Sequence, residues 1–138
     1  MKVDIGLNIE HLYSTTKVDL PRNSEAFYNI VDKQGRFDFN SGIFAFNSDS
    51  IELGIEIDGR EIFRVVSKDI KDIFGDDEDK GNNTHPIRYL KDSKSILINF
   101  GLALQVTSNL KIYAKSSTSS SNRDLKGYSV FLSNGRDV

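Results

Sequence analysis

The sequence contains no cysteine and no tryptophan, and its 138 residues include only two histidines, two prolines and one methionine. Without cysteine, the chain has no disulfides, thiolate metal sites, iron–sulfur clusters or thiol catalysis. The two histidines, His11 and His85, leave little material for a zinc site or a proton relay. The composition therefore excludes more chemistry than it establishes.

Catalytic sequence motifs are also lacking. There is no Gly-x-Ser-x-Gly nucleophile turn, and no glycine-rich stretch leads into a Lys-Ser or Lys-Thr helix start. Glu52 and Glu56 lie on the polar side of an alternating run, which indicates a solvated strand face rather than a glycosidase pair. We therefore predict a protein that is not an enzyme, with no catalytic residue, no metal ligand and no cofactor.

The charge of the chain is low, at a formal −2 from 18 basic and 20 acidic residues. Residues 76–80 hold four acids and one base, so the rest of the chain is nearly neutral. A nearly neutral body has no electrostatic footprint for nucleic acid, and we expect no nucleic-acid partner. No apolar run approaches the roughly 18 residues of a membrane span. A secretory signal needs an uninterrupted apolar run, and Asp4, Asn8 and Glu10 interrupt the apolar residues near the first position. We therefore expect a chain that is made in the cytoplasm.

The dominant hydrophobic period is two, which is typical of β-strands. Val3, Ile5, Leu7 and Ile9 alternate with polar residues, predicting a first strand whose wet face carries Glu10. Residues 51–57 and 60–66 form two further runs around Asp58-Gly59, a pair that tolerates the positive φ angles of a type I′ turn. These two runs predict a hairpin.

Shorter alternating segments complete the pattern, with turn signals roughly every 8–12 residues, the spacing of a sandwich or barrel. We predict an all-β fold of about eight or nine strands in one domain over residues 1–138. An antiparallel β-sandwich of the jelly-roll type is the first choice and a closed barrel the second. The further predicted strands are residues 26–32, 36–39, 42–46, 96–106, 110–115 and 127–132.

One segment, residues 67–75, breaks the period of two. Ile70, Ile73 and Phe74 stand at helical spacing, Ser67 is a candidate cap at the start, and Gly75 is a candidate end. These features predict a helix of about two turns, which is too short to form without packing. We expect it to cover one end of the β-structure.

Two low-complexity segments, residues 76–84 and 116–122, predict exposed, mobile loops. The acids at 76–79 suggest calcium, but an EF-hand loop starting at Asp76 would place Lys80 and Ile87 at positions that need oxygen ligands. We interpret the segment as a solvated loop, with a weak cation site as the alternative.

The aromatic residues are the remaining candidates for a site. Phe37, Phe39, Phe44 and Phe46 alternate within short strands, which predicts core packing. The tyrosines favour either a sugar-stacking platform or a protein interface, and Tyr113 and Tyr128 are expected to form a cross-strand pair. The tyrosines in question are Tyr13, Tyr28, Tyr89, Tyr113 and Tyr128.

Four segments carry a resemblance to a known class of proteins: the hairpin 55–63, the Gly- and Phe-rich strand 39–46, and the strands 109–115 and 127–132. In this pattern, over roughly residues 27–132, the chain resembles small jelly-roll proteins of tailed phages and related virus particles. The resemblance implies a minor capsid, penton, decoration or tail-associated subunit. It also implies a location in the virion, other virion proteins as partners, and a homo-oligomer such as a trimer or pentamer. It transfers no catalytic residue.

A second hypothesis is a carbohydrate- or receptor-binding β-sandwich that uses exposed tyrosines and polar loops, with a host glycan as the ligand. The lack of tryptophan counts against it. An enzyme built from Asp, Glu and His gathered from distant strands is the third.

Overall fold

The computed structural model describes residues 8–74, 85–119 and 121–134. These residues form eleven antiparallel β-strands and one α-helix, which confirms the predicted all-β class. In the same residues, no helix is long and apolar enough to cross a membrane. In chain order the elements are β1 (Asn8–Ser14), β2 (Val18–Asp19), β3 (Tyr28–Gln34), β4 (Phe37–Phe46), β5 (Ile51–Ile57), β6 (Arg60–Val66), α1 (Ser67–Phe74), β7 (Ile87–Leu90), β8 (Ser95–Ile98), β9 (Leu104–Val106), β10 (Asn109–Ser116) and β11 (Asp124–Asn134).

The strands form two sheets. One sheet has seven strands in the order β1-β11-β4-β8-β7, with β2 paired to β11 and β9 paired to β4. The other has four strands in the order β3-β10-β5-β6. No pairing joins the two sheets in the described part of the chain, so the fold is an open sandwich and not the closed barrel held as second choice.

The strand order is that of a jelly roll. Four nested antiparallel pairs, β1 with β11, β3 with β10, β4 with β8 and β5 with β6, make one long hairpin. Rolling this hairpin up places alternate pairs in opposite sheets, which is the arrangement of a double-sheet jelly roll. The predicted jelly-roll-like sandwich therefore matches the observed order, with β2, β7 and β9 as additions.

The hairpin at Asp58-Gly59 is confirmed and forms the tip of the rolled hairpin. Asp58 has φ 54° and Gly59 has φ 81°, so both residues adopt the left-handed conformation of a type I′ turn. The turn works because glycine has no Cβ and aspartate tolerates this region better than most residues.

The core fills the space between the sheets and includes the four phenylalanines predicted for it. Phe39, Phe44 and Phe46 are fully buried and Phe37 nearly so. They belong to one core cluster with buried side chains of the opposite sheet, including Ile55. Each fully buried side chain of this size contributes about 1.5–3 kcal/mol by leaving water.

The helix is also confirmed, over Ser67–Phe74, and it packs against β5, β6 and β7. Ile70 is its buried anchor, whereas Ile73 is 71% exposed and lies off the packed face. Ser67 does not cap the helix as predicted. Its hydroxyl donates to the carbonyl of Asp49 and accepts from the Ile51 amide, so it stabilises the start of β5 instead.

Several predicted boundaries are wrong. Residues 37–39 and 42–46 belong to one strand, β4, because Ser41 between them stays paired to Phe131 of β11, whereas Asn40 lies at a register shift and Arg36 lies before the strand. Residues 96–106 divide into β8 and β9, which pair with different parts of β4. The strands missed by the count of eight or nine are short: β2, β7 and β9 have two to four residues each.

The two predicted loops have different outcomes. Residues 76–84, with the acids at 76–79, lie outside the described residues, as do residues 1–7, Gly75 and residue 120. The serine-rich segment is exposed only from Thr118 onwards in its described part. Ser116 is fully buried as the last residue of β10, contrary to the prediction, and its hydroxyl donates to the carbonyl of Thr118.

Candidate functional site

Of the exposed large apolar side chains in the described part of the chain, three lie together on the outer face of the neighbouring strands β1 and β11. Ile9, Tyr13 and Phe131 are 66%, 66% and 40% exposed, and His11 lies among them. We call these four residues the aromatic stripe. Exposed apolar groups that adjoin one another mark contact surfaces in soluble proteins more often than single exposed residues do.

The stripe is ordered by strand register. His11 lies opposite Phe131, and their rings stack with centroids 4.4 Å apart at 5°. Tyr13 stacks on the same His11 ring at 4.7 Å and 24°. A 2.6 Å hydrogen bond joins His11 Nε2 to Ser129 Oγ. The imidazole is therefore the shared member of a three-ring stack.

The orientation of β1 is the reverse of the predicted one. Alternation suggested that the side with Ile9 faces the core and that Glu10 is wet. In the structure, Ile9, His11 and Tyr13 point outwards, whereas Leu12 packs against the core opposite Val130. Glu10 faces the same side as Leu12, where its carboxylate accepts from Lys33 at 3.3 Å.

β1 is also a sheet edge. It pairs with β11 along all seven residues without a register shift, and no other described strand pairs with it. The strand contains no proline, lysine or arginine, the residues that commonly protect an edge from pairing with another chain.

A groove of about 440 Å³ runs beside this edge, between β1 of one sheet and β3 of the other. Leu12, Ile30 and Tyr128 give it apolar walls, and Asp32 and Lys33 provide charge. The pair between Lys33 and Glu10 is the only side-chain ion pair described between β1 and β3.

The five tyrosines do not form one platform. Tyr89 and Tyr113 are buried, Tyr128 is half-buried, and only Tyr13 and Tyr28 are exposed. The predicted cross-strand pair of Tyr113 and Tyr128 is wrong, because β10 and β11 belong to different sheets.

Tyr113 belongs instead to a polar network on the outer face of the four-stranded sheet. Its hydroxyl donates to Glu61 at 2.5 Å, and Arg64 donates to the same carboxylate at 2.9 Å. Burial, followed by the bond to Glu61, raises the pKa of Tyr113 to about 12. The Tyr113 hydroxyl, and then Arg64, lower the pKa of Glu61. Phe27 packs edge-on against Tyr113 with centroids 4.8 Å apart.

Asp58 anchors the hairpin tip. Its carboxylate accepts hydrogen bonds from the amides of Thr107, Ser108 and Asn109 and from the hydroxyls of Thr107 and Ser108. The Thr107 hydroxyl, and then the amides of Ser108 and Asn109, hold the pKa of Asp58 far below its usual range. The role of this residue is to join the tip to the turn between β9 and β10.

A polar cleft of about 600 Å³ lies at the end of the sandwich beside α1. Lys71 pairs with Asp49 at 3.4 Å within it. The cleft also includes Tyr89, but this ring is buried and presents no face on which a sugar could stack.

The other sequence candidates do not come together as a site. Glu52 pairs with Arg64 at 3.4 Å, and Glu56 lies opposite Glu61 on the solvent side of the sheet. In residues 8–74, 85–119 and 121–134, no three His, Asp or Glu side chains are grouped closely enough to hold a metal ion. The possible cation loop at 76–79 lies outside these residues.

No protein-family model matches the chain, and no curated protein is significantly similar to it. The assignment of function therefore depends on the fold and on the surface of the molecule.

Proposed function

We propose that this protein is a non-enzymatic structural subunit of a virus particle and works through protein–protein contacts. The observation that carries the proposal is the aromatic stripe, whose Ile9 and Tyr13 are two-thirds exposed on an edge strand of a jelly roll. Two large apolar side chains held in water have an energetic cost that contact with another protein removes.

The architecture supports the same proposal. A sandwich of two packed sheets is a rigid scaffold, and its edges and loops are the parts that meet neighbours in an assembly. The strand order of this chain is the jelly-roll order expected from the resemblance to virion proteins. We include copies of the chain itself and other virion proteins among the proposed partners.

The proposal is tested by mass spectrometry of virus particles purified from the source of the sequence. We expect the chain in intact particles, in a fixed ratio to the major coat protein, and retained through a second density gradient. Absence from particles, in a culture where the chain is expressed, would refute the proposal.

Exposed ring faces on Tyr13 and Tyr28 favour one second candidate, a carbohydrate-binding module. A glycan array separates it from the first. Specific glycan binding that is lost in Tyr13→Ala and Tyr28→Ala variants supports the module, and an array without hits removes it. The stacking of Tyr13 on His11 uses part of the ring surface that a sugar would need.

A further inference from the structure

The strands that end the two sheets differ in how well they are protected from pairing. β6 has a register shift opposite Ile55 and Glu56 and carries Arg60, Glu61 and Arg64. β7 has only four residues and is covered by α1. A bulge, charged residues, short length and a covering helix are all devices that block edge pairing.

β3 is protected as well, since its ladder with β10 shifts register and Asp32 and Lys33 lie on it. β1 is less protected than these strands: its ladder is regular, its length is seven residues, and it carries one charged side chain, Glu10, which is paired with Lys33. β1 is therefore the end strand best suited to accept a further strand.

We propose that a second copy of this chain binds at β1, by antiparallel pairing of β1 with β1 about a two-fold axis. The inference rests on the proposed function, a subunit that works through protein contacts, and names the partner of the aromatic stripe. The unpaired backbone amides and carbonyls of an edge strand can form hydrogen bonds with an extended strand of another chain. The expected occupant of this edge is therefore a β-strand.

Self-complementarity of the strand indicates that this occupant is β1 itself. Only one antiparallel register pairs all seven residues, and it places His11 at the axis. In that register Ile9 lies opposite Tyr13 of the second copy, twice, and Glu10 lies opposite Leu12. Aromatic–aliphatic pairs stabilise a sheet, and no like charges oppose each other.

Neighbouring registers on the same face are poorer. Moving the two-fold axis by one residue, from His11 to Glu10, places Glu10 opposite Glu10 of the second copy and leaves Tyr13 and Ser14 unpaired. Moving the axis the other way, from His11 to Leu12, shortens the ladder to five residues. A two-fold contact also uses the same edge on both copies, so the pairing closes and no β1 edge remains for uncontrolled growth.

The test measures mass by size-exclusion chromatography with light scattering, across a range of micromolar concentrations. We expect wild type at twice the 15.5 kDa chain mass. The variant Ile9→Lys/Tyr13→Lys sets lysine opposite lysine at two points of the ladder, and we expect it at the mass of one chain. Both sites are exposed, so the fold is retained.

Two controls make the test specific for the register. Ile9→Lys/Tyr13→Glu sets opposite charges against each other, and we expect it to keep the two-chain mass. Leu102→Lys changes an equally exposed apolar residue outside β1, and we expect no change in mass. Circular dichroism and urea unfolding of each chain verify folding.

Some outcomes overturn the inference. A wild-type mass of one, three or five chains does so, as does a two-chain mass for the double-lysine variant. Loss of pairing in both charged variants refutes the register and with it the proposal. None of these results bears on whether the chain is present in particles, so the proposed function is decided separately by mass spectrometry.

Discussion

Replacing Gly54 by alanine probes how closely Tyr113 packs on the four-stranded sheet. A Cβ at this position would overlap the ring, since it would lie 2.8 Å from Tyr113 Cζ and 3.0 Å from the hydroxyl. The ring cannot move without cost, because Phe27 packs against it and its hydroxyl is bonded to Glu61. We therefore expect the ring to be displaced and the hydrogen bond to be lost.

Several free-energy changes combine in this substitution. Overpacking a filled site costs about 1–3 kcal/mol. Alanine would otherwise stabilise a strand by roughly 0.5–1 kcal/mol relative to glycine. Loss of the bond to Glu61 adds little, because that side chain is 40% exposed and solvent replaces the contact. The net expectation is a loss of about 1 kcal/mol in the free energy of unfolding, within a range of roughly 0–2.5 kcal/mol.

Urea denaturation in two backgrounds is the decisive assay. In a Tyr113→Ala chain the overlap is gone, so Gly54→Ala should be neutral or stabilising there, a reversal of sign. The Tyr113 pKa, which is about 12 in wild type, should also fall towards its ordinary value in the Gly54→Ala chain, as measured by ultraviolet titration against a Tyr113→Phe reference. Equal costs in the two backgrounds would refute the reasoning.

Two more predictions concern the hairpin tip and the core. Asp58→Asn keeps a residue that tolerates the turn, but removes the charge that accepts from Thr107, Ser108 and Asn109. Because the pKa of Asp58 is depressed in the folded state, its stabilisation is present above the unfolded pKa of about 4 and is lost at lower pH. Urea unfolding should show wild type more stable than the variant at pH 7, with the gap narrowing below pH 4; a gap independent of pH contradicts this. Phe39→Ala should lower the free energy of unfolding by about 3–5 kcal/mol, since the side chain is fully buried, and a loss under about 1 kcal/mol would contradict the core assignment.

Local chemistry explains the parts of the fold that could be predicted from the sequence. Asp58-Gly59 specifies its turn because these two residues tolerate positive φ angles. The alternation of apolar and polar residues in 51–57 and 60–66 predicts the two strands that the turn joins. The helix at Ser67–Phe74 is predicted by the helical spacing of Ile70, Ile73 and Phe74, and Ile70 is the anchor that packs, whereas Ile73 is exposed. In each case the signal lies within a few residues of the feature that it predicts.

The candidate site could not be predicted in the same way, because it depends on partners distant in sequence. Alternation in β1 divides its residues into two faces, but does not decide which face meets the core. Leu12 fixes the choice by packing inwards, and Lys33 of another strand makes the inward position of Glu10 acceptable. The exposed stack of His11 with Phe131 then follows from a pairing 120 positions apart in the chain.

The two sheets are joined by different contacts on different sides of the sandwich, and the aromatic stripe lies on one of these sides. The hairpin tip is joined by Asp58 to the turn before β10, and α1 packs against both β6 and β7. On the side of β1 and β3, the ion pair described is between Lys33 and Glu10, and both side chains are partly exposed. A surface ion pair of this kind contributes about 1 kcal/mol or less to stability. The same side holds the regular edge strand β1 and the exposed rings of the aromatic stripe. A second strand paired there would occupy the free edge and set Ile9 of each copy beside Tyr13 of the other, so the contact proposed for β1 accounts for the edge and for these two exposed side chains.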